Sequence, residues 1–348
     1  MRQPDFTRRV VVTGLGVVSP VGNDKDTVWS NLLNGVSGLG VITRFDPTPY
    51  AQRAAGEVNG FDPGPWMEAK AIRRSESSVW FGVSAAKQAI ADAGLEITDA
   101  NREDIGVIFG SGAGGQQLMI DNWHILRDKG PGRVAPTFIA NGLVDSASGM
   151  IAIETGAIGH NLCIVTACST GTNCVGEGAE LIRRGDVHTV ITGSTEMPLL
   201  EVAHAGFGNM RGLGSPRPGE PISDTSRPFD RTRDGFVLGE GAGSLILEDL
   251  EYATARGARI YAELAGSGMS SDAFHMTLPD ESGESQARAV RMALAEAGLE
   301  PDAVDYVNAH GTATGAGDIA ESRAIKQALG DHAYKVAISS NKSMIGHC

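Results

Sequence analysis

The sequence predicts an α/β protein built of two related halves, and three observations lead to this prediction. Short apolar segments rich in Val and Ile alternate with helical patterns along all 348 residues, as in sheets that helices cover on both faces. One helix-ending motif occurs twice, at residues 91–96 and 295–300. The chain also contains 46 glycines, which suit numerous tight turns between strands and helices.

The predicted strands are the apolar segments themselves. Each is short and bounded by polar or small residues, which favours a strand over a buried helix. The segments are residues 9–16, 105–110, 162–167, 189–193, 244–248, 306–309 and 336–339.

The repeated motif indicates an internal duplication. It reads ADAGLE at 91–96 and AEAGLE at 295–300. In each copy a helical pattern ends at a glycine, where a left-handed cap is favoured, and a polar link then leads into a predicted strand. We therefore expect an N-terminal half at residues 1–255 and a C-terminal half at residues 256–348.

Composition and charge argue against several classes of function. The formal net charge at pH 7 is −13, whereas nucleic-acid binding needs a concentrated basic surface, so we expect no nucleic-acid partner. Apolar runs stay shorter than the roughly 18–20 residues of a membrane span, so we expect no membrane segment. Residues 1–10 carry charge, but Thr13, Gly14 and Gly16 interrupt the apolar residues that follow, which argues against a signal peptide.

Basic residues concentrate at Lys70, Arg73 and Arg74 and again at Arg211. They could form a docking patch for an acidic protein, or they could simply keep an amphipathic surface in solution. The residues alone leave both interpretations open.

The four cysteines are Cys163, Cys168, Cys174 and Cys348. None belongs to a C-x-x-C pair, so neither a zinc site nor a disulfide framework is indicated. Cys163 and Cys174 are interpreted as core residues, because free cysteines in apolar segments are commonly buried. Reduced thiols are typical of a cytoplasmic protein.

Cys168 differs from the other cysteines in its position. The predicted buried strand 162–167 ends there, and a helical pattern follows. The sulfur is therefore expected at a helix N-terminus, where partial positive charge favours thiolate over thiol. The small neighbours Ala167, Ser169 and Gly171 permit a tight turn. Cys168 is the predicted nucleophile.

Two histidines stand where predicted strands open into loops. His310 follows strand 306–309, and His347 follows strand 336–339 with Lys342 five residues before it. A lone histidine in such a place is usually structural. Two at corresponding strand ends, together with an activated cysteine, indicate a catalytic constellation.

With these residues assembled, the chain resembles a known enzyme family. Its motifs match, in order and over nearly the whole length, those of the β-ketoacyl-[acyl-carrier-protein] synthases of the thiolase superfamily, especially the synthase II branch. The matching segments are RVVVTGLG at 9–16, TACS at 166–169, GFG at 206–208, RPFD at 227–230, DGFV at 234–237, GEGAG at 239–243, NAHGT at 308–312, KS at 342–343 and GH at 346–347.

The resemblance implies a fold, a reaction and partners. We expect a thiolase-like five-layered αβαβα fold of two pseudo-repeated halves, a homodimer and no cofactor. The implied reaction belongs to fatty acid biosynthesis. In it, malonyl-[acyl-carrier protein] loses CO₂ and condenses with an acyl group carried on Cys168, giving a 3-oxoacyl thioester. The implied substrates are malonyl and acyl thioesters on the phosphopantetheine arm of acyl carrier protein.

Catalytic roles follow from the matching motifs. The resemblance implies that His310 and His347 bind the thioester carbonyl and assist decarboxylation, with Lys342 setting their electrostatics. Loss of CO₂ leaves negative charge on the thioester oxygen, which two uncharged imidazoles can stabilise through N–H groups. A cation nearby, such as Lys342, disfavours imidazolium.

Other positions receive implied binding roles. Thr312 and Thr314 match residues that hydrogen-bond the phosphopantetheine arm. Arg211 matches a contact of the carrier protein, which favours the docking interpretation of the basic residues. Asn308 matches a ligand of a structural monovalent cation.

The glycine-rich segment 110–115 matches the loop beside the acyl pocket. Ala113 falls where some relatives carry a bulky aliphatic gate. We therefore expect an open pocket that accepts medium to long acyl primers. Phe138 matches a residue that reaches the partner subunit's pocket.

Two departures from the family pattern stand out. Ala313 replaces the serine of the usual His-Gly-Thr-Ser-Thr motif, a minor change. The family pattern also continues beyond Cys348 for several dozen residues, with a glutamate that pairs the lysine and a Gly-Phe-Gly loop that contributes to the oxyanion hole. We expect a C-terminally truncated form in which Lys342 lacks its partner.

Other interpretations fit less well. Residues 110–115 satisfy the G-x-G-x-x-G spacing, but the strand with an acidic end that a dinucleotide site needs is missing afterwards. A modular polyketide ketosynthase usually has a run of serines after the cysteine, unlike Ser169-Thr170-Gly171. Thiolases pair the nucleophile with a second cysteine.

An inert chain-length partner subunit would normally lack Cys168. The polyketide-type and partner-subunit interpretations stay open as alternatives.

Overall fold

The protein is described by a computed structural model of residues 8–348. The signal-peptide expectation concerns the N-terminal residues, and residues 1–7 lie outside the described residues. Its strands and helices alternate along the chain. The strands are β1 Val10–Val18, β2 Leu39–Val41, β3 Ala54–Gly56, β4 Ile105–Gly110, β5 Asn161–Leu162, β6 Thr189–Glu196, β7 Leu238–Gly239, β8 Gly241–Asp249, β9 Ala262–Glu263, β10 Tyr306–Asn308 and β11 Ala337–Ser339. The helices are α1 Lys25–Leu33, α2 Ala69–Ile72, α3 Ser77–Asp92, α4 Gln116–Lys129, α5 Phe138–Gly142, α6 Ser146–Thr155, α7 Thr170–Arg183, α8 Glu201–Asn209, α9 Leu250–Ala255, α10 Glu284–Ala297, α11 Gly315–Leu329 and α12 Lys342–Ile345.

The largest sheet has six strands in the order β5-β4-β6-β8-β1-β9. β4 pairs in parallel with β5 and β6, whereas β8 pairs antiparallel with β6 and β1. Helix α3 packs on one face through Val79 and Val83, and α7 packs on the other through Leu181 and Ile182. The predicted α/β layering is confirmed.

Most predicted strands are present. The segment 105–110 is β4 with the predicted bounds, and 189–193 and 244–248 lie within longer strands. The prediction for 162–167 is wrong, because only Asn161–Leu162 pairs with β4. β5 lies at the sheet edge, where Leu162 is 50% exposed, so this segment is not the predicted buried strand. The chain leaves the sheet there to form the turn before α7.

The second half contains the parallel pair β10–β11. Helices α10 and α11 pack together over this pair around Ala287 and Ile325. The two predicted helix caps are confirmed, because Gly94 after α3 and Gly298 after α10 have φ angles of 56° and 64°. In both halves a 3₁₀ turn and a strand follow the capped helix, as the repeated motif predicted.

Close packing of β1 against α3 generates a test of this fold. A Cβ atom at Gly16 would lie 1.9 Å from the backbone oxygen of Ala85, so the helix would have to move away from the sheet. We expect Gly16→Ala to lower the free energy of unfolding by about 1–3 kcal/mol in urea titrations. Gly40→Ala, at a position with open space around it, is the matched control. Equal stability of the two variants would contradict the packing.

Candidate active site

Cys168 lies in a tight turn at the start of a helix. A single 3₁₀ turn, Ala167–Ser169, leads directly into α7. Ala167 has a φ of 52°, a left-handed conformation that costs a non-glycine residue roughly 1–2 kcal/mol. The Thr166 N–H donates to Thr170 Oγ1 at 3.0 Å and the Ser169 hydroxyl donates to the Thr166 oxygen at 2.9 Å, which together hold the turn.

His347 contacts the sulfur of Cys168. Its Nε2 lies 3.0 Å from Cys168 Sγ, and its Nδ1 lies 2.9 Å from the backbone oxygen of Cys348. A backbone oxygen only accepts, so Nδ1 carries the ring proton and Nε2 is free to accept the thiol proton. The His347 N–H donates to the Val237 oxygen and its oxygen accepts from the Gly239 N–H, which fixes the ring beside β7.

His310 completes the cluster from the end of β10. Its ring meets that of His347 edge-to-face, with centroids 5.5 Å apart and planes at 89°. One potential donor or ligand atom from each of Cys168, His310 and His347 lies within 4.8 Å of the others. The structure thus brings together the three residues that the sequence analysis singled out.

Both histidines are neutral at physiological pH. Burial, the Lys342 cation and the His347 ring together lower the pKa of His310 to about 3, with burial the largest cause. Burial and Lys342 likewise lower the pKa of His347 to about 4. The expected uncharged imidazoles are confirmed, although removal of water contributes more than the lysine does.

The expected stabilisation of a thiolate is wrong for this structure. Burial raises the pKa of the Cys168 thiol, and a local backbone hydrogen bond and Lys342 offset this only in part. The thiol is therefore protonated at neutral pH and hydrogen-bonded to His347 Nε2. Neutral His347 is placed to take the thiol proton as the sulfur attacks.

Glu321 is a site residue that the sequence analysis missed. Its carboxylate accepts the N–H of His310 at 2.6 Å and that of Gly311 at 2.7 Å. Burial lowers the pKa of Lys342, and the charge of Glu321 opposes that shift. Glu321 therefore acts on Lys342 electrostatically, while the pairing with a glutamate beyond Cys348 stays a prediction. The signal in the sequence was a pair of carboxylates, Asp318 and Glu321, in the first two turns of the helix after the His310 loop.

Hydrogen bonds with Arg233 and Asp318 hold the loop that carries Thr312 and Thr314. Thr312 is buried, and its Oγ1 lies 3.0 Å from that of Thr314. Arg233 donates to the Thr314 oxygen at 3.1 Å and pairs at 3.1 Å with Asp318, whose carboxylate also accepts backbone N–H groups of the loop. Ala313 lies between the two threonines and has a φ of 66°. Its side chain is fully buried, so the small methyl group fits the space inside the loop.

The glycine-rich loop lies beside the nucleophile turn. The carboxylate of Glu196 accepts the N–H of Gly112 at 2.7 Å and that of Ala113 at 3.1 Å. These are the amides that would face a pyrophosphate in a dinucleotide site, so their use by Glu196 argues against that alternative. Ala113 and Phe138 are both partly buried.

The remaining predicted site residues lie on the surface. Arg211 is exposed just after α8, with a φ of 57°. Lys70, Arg73 and Arg74 are exposed in and after α2. Asn308 is exposed at the end of β10, and its role as a cation ligand stays a prediction.

The donor set of Cys168, His310 and His347 is one that zinc accepts. However, His347 Nε2 is hydrogen-bonded to the thiol, and the Lys342 cation acts on all three groups. A fixed positive charge disfavours a bound metal ion. The cluster is better suited to a nucleophile with its proton acceptor.

Comparison with known proteins agrees with this geometry. Residues 7–253 match the family model for the β-ketoacyl synthase N-terminal domain, and residues 261–348 match that for the β-ketoacyl synthase C-terminal domain. This chain belongs to the β-ketoacyl synthase family. It is 48% identical to 3-oxoacyl-[acyl-carrier-protein] synthase 2 of Synechocystis sp. over 98% of this chain and 81% of that protein. The corresponding protein of Coxiella burnetii is 47% identical, with coverage of 98% and 82%.

Solved ketosynthase structures share the fold of this family member. A type II polyketide acyl-carrier protein in complex with its ketosynthase, bound to the hexaketide, superposes with a TM-score of 0.88, at 34% identity and coverage of 99% and 82%. The ishigamide ketosynthase/chain length factor gives a TM-score of 0.88 at 36% identity, with coverage of 98% and 82%. The predicted thiolase-like α/β fold class is confirmed.

The electrostatic role of Lys342 in this synthase site can be tested directly. Because the cation lowers the pKa of both histidines and of the Cys168 thiol, we expect Lys342→Met to raise all three pKa values. Histidine titration by NMR should show higher midpoints for His310 and His347. Alkylation of Cys168 by iodoacetamide at a fixed pH below the thiol pKa should become slower, because less thiolate is present.

Lys129→Met, at the exposed end of α4, is the matched control. Unchanged histidine midpoints in Lys342→Met, or faster alkylation, would contradict the assigned electrostatics.

Proposed function

We propose that this synthase condenses an acyl group on Cys168 with malonyl-[acyl-carrier protein], with loss of CO₂, to give 3-oxoacyl-[acyl-carrier protein]. The observation that carries the proposal is the contact between His347 Nε2 and Cys168 Sγ at 3.0 Å, with the neutral His310 ring beside it. The relatives named 3-oxoacyl-[acyl-carrier-protein] synthase 2 support fatty acid biosynthesis as the setting.

The first step is acylation of the nucleophile. Cys168 sulfur attacks the carbonyl carbon of the acyl thioester while His347 Nε2 accepts the thiol proton. The carbon–sulfur bond to the phosphopantetheine arm then breaks, and the departing thiolate takes this proton from His347. The ring returns to its neutral form, as its lowered pKa favours.

The second step is decarboxylation. The bond between the malonyl methylene carbon and the carboxylate breaks, CO₂ leaves, and the electron pair forms an enolate whose negative charge lies on the thioester oxygen. His310 is the proposed N–H donor to that oxygen, because its pKa of about 3 keeps the ring from protonating the carbanion at neutral pH. His347 can add a second donor once its proton moves from Nδ1 to Nε2, since the acylated sulfur no longer carries a proton.

The third step forms the carbon–carbon bond. The enolate carbon attacks the acyl carbonyl on Cys168, and the carbon–sulfur bond of the acyl-enzyme breaks. The released thiolate takes up one proton from solvent, with His347 Nε2 in hydrogen-bonding position to deliver it. This proton balances the overall reaction, which consumes one proton and releases CO₂.

Acyl carrier protein is the proposed partner. The exposed cations Lys70, Arg73, Arg74 and Arg211 would meet its acidic surface. The polyketide ketosynthase with a similar structure is bound to an acyl-carrier protein. Thr312 and Thr314 would hydrogen-bond the phosphopantetheine arm, since their hydroxyl groups stand together on the loop after His310.

The polyketide and partner-subunit alternatives have weaker support. Identity is 45–48% to the relatives named 3-oxoacyl-[acyl-carrier-protein] synthase 2 and 34% to the type II polyketide ketosynthase. The nucleophile of an inert subunit would be missing, whereas Cys168 is present and hydrogen-bonded to His347.

The domain boundary and location of the protein are also proposals. A division near residue 255 is supported by the gap between the two matched family domains, after residue 253 and before residue 261. No helix within residues 8–348 is long and apolar enough to cross a membrane. Four free cysteines support a reducing compartment, so we propose the cytoplasm.

A homodimer is proposed from the exposed edge of the main sheet. β5 has a strand neighbour, β4, on one side within the described sheet. Apolar side chains surround this edge, with exposures of 76% for Ile153, 53% for Ile158 and 50% for Leu162. A two-fold related copy would pair β5 with β5 and cover this patch. Phe138 in α5 would then reach toward the partner's acyl pocket.

Transfer of labelled acyl groups tests the proposed function. The protein is incubated with radiolabelled acyl-[acyl-carrier protein] and then with malonyl-[acyl-carrier protein]. We expect label on Cys168 that passes into a 3-oxoacyl product. Cys168→Ala should take up no label, whereas His310→Ala should be acylated but lose decarboxylation by about 10²-fold or more. Cys163→Ala is the matched cysteine control. Product formation by Cys168→Ala would contradict the proposal.

A charge at the sheet edge tests the homodimer. We expect Leu162→Asp to convert a dimer into a monomer, because two carboxylates would face each other across the two-fold axis. Light scattering during size-exclusion chromatography measures the mass. Met292→Asp, at an exposed apolar position of α10, should remain dimeric. A monomeric unsubstituted protein, or a dimeric Leu162→Asp, would overturn the proposed interface.

A further inference from the structure

A partly buried carboxylate holds the glycine-rich loop. Glu196 is the last residue of β6, and its Oε2 accepts the N–H of Gly112 at 2.7 Å and that of Ala113 at 3.1 Å. Its Oε1 lies 3.3 Å from the hydroxyl oxygen of Ser111. Three consecutive loop residues therefore bind one side chain that lies more than 80 positions away in the chain.

The environment of Glu196 is unfavourable for a charge. Burial raises its pKa, and the loop amides counteract this only in part. The charge of Glu196 also raises the pKa of a buried carboxyl, Glu76, which accepts the N–H of Leu118 at the start of α4 at 3.3 Å. A carboxylate buried near another one is costly unless its hydrogen bonds hold something in place. Here they fix the loop and the beginning of the following helix.

The loop is wedged between the nucleophile turn and α5. A Cβ atom at Gly112 would lie 3.8 Å from the Cα atom of Ala167, the residue before Cys168. A Cβ atom at Gly115 would lie 2.4 Å from Gly142 Cα, at the end of α5. A movement of the loop backbone therefore changes its contact with the turn that carries Cys168.

We propose that Glu196 is a positioning residue that fixes the Gly112–Ala113 backbone beside the turn that carries Cys168 and thereby sets the acyl chain-length preference. The inference rests on the proposed function. Glu196 acts through the two amides of the loop and contacts no substrate. The reach of its side chain matters more than its charge, because a neutral oxygen at the same place can accept both N–H groups.

Three substitutions separate reach from charge. Glu196→Ala removes the acceptor, and Glu196→Asp keeps the charge but withdraws the carboxylate by one methylene. Glu196→Gln keeps an oxygen within reach of Gly112 and Ala113. We expect the Ala and Asp variants to lose discrimination between short and long acyl primers and the Gln variant to keep most of it. Glu103→Ala, an exposed glutamate in the turn before β4, is the matched control.

The measurement is kcat/KM for a short and a long acyl primer in each variant. We expect the ratio between the two primers to change about tenfold in Glu196→Ala and Glu196→Asp, while acylation of Cys168 by the short primer stays within a few-fold of the unsubstituted enzyme. Amide hydrogen exchange at Gly112 and Ala113 should become faster in the same two variants.

The outcomes distinguish the inference from the proposed function. No turnover of either primer by the unsubstituted protein would overturn the proposed function. Normal turnover together with an unchanged primer ratio in Glu196→Asp, or an equal loss on both primers, would overturn the role of Glu196. If Glu196→Ala does not fold, Glu196→Asp decides, since it retains the charge.

Discussion

The structure depends on one hydrogen bond, from the Cys168 thiol to His347 Nε2. Its two partners come from segments far apart in the chain, and a different set of interactions holds each one. The left-handed backbone conformation of Ala167 places the sulfur at the start of α7. Backbone bonds to Val237 and Gly239 hold His347 against β7. A shift of either segment by an ångström would separate the nucleophile from its proton acceptor.

Burial is the largest cause of the pKa shifts of the three active-site groups. It raises the pKa of the Cys168 thiol and lowers the pKa values of both histidines, so all three groups are neutral at pH 7. A neutral resting state avoids the cost of a buried ion pair. Charge then develops only during the reaction, next to Lys342 and Glu321, whose opposite charges already partly balance. Such preorganisation favours a transient oxyanion over a permanent thiolate.

Much of this arrangement could be predicted from the sequence. The uninterrupted apolar segment 105–110 predicted β4, and the glycines of the repeated motif predicted both caps, because these signals are local. Cys168, His310 and His347 could be singled out because each follows a predicted strand, although only His310 comes just after a strand of the structure, and α12 lies between β11 and His347. β5 could not be placed correctly, since its edge position depends on the order of the strands.

The carboxylates were the least predictable part. Glu196 binds a backbone amide 84 positions away in the chain, and no spacing rule relates a glutamate to so distant an N–H group. Glu321 lies only 10 residues after Gly311, but the position of its carboxylate depends on how α11 packs against the His310 loop. The direction of the Cys168 pKa also depends on burial that the sequence does not specify.

The tautomer of His347 tests the central claim most directly. ¹⁵N NMR of the resting protein at pH 7 reports which ring nitrogen carries the proton. We expect a neutral ring with the proton on Nδ1 and an unprotonated Nε2 that accepts from Cys168. A proton on Nε2 at rest, in either the other neutral tautomer or an imidazolium paired with a thiolate, would contradict it.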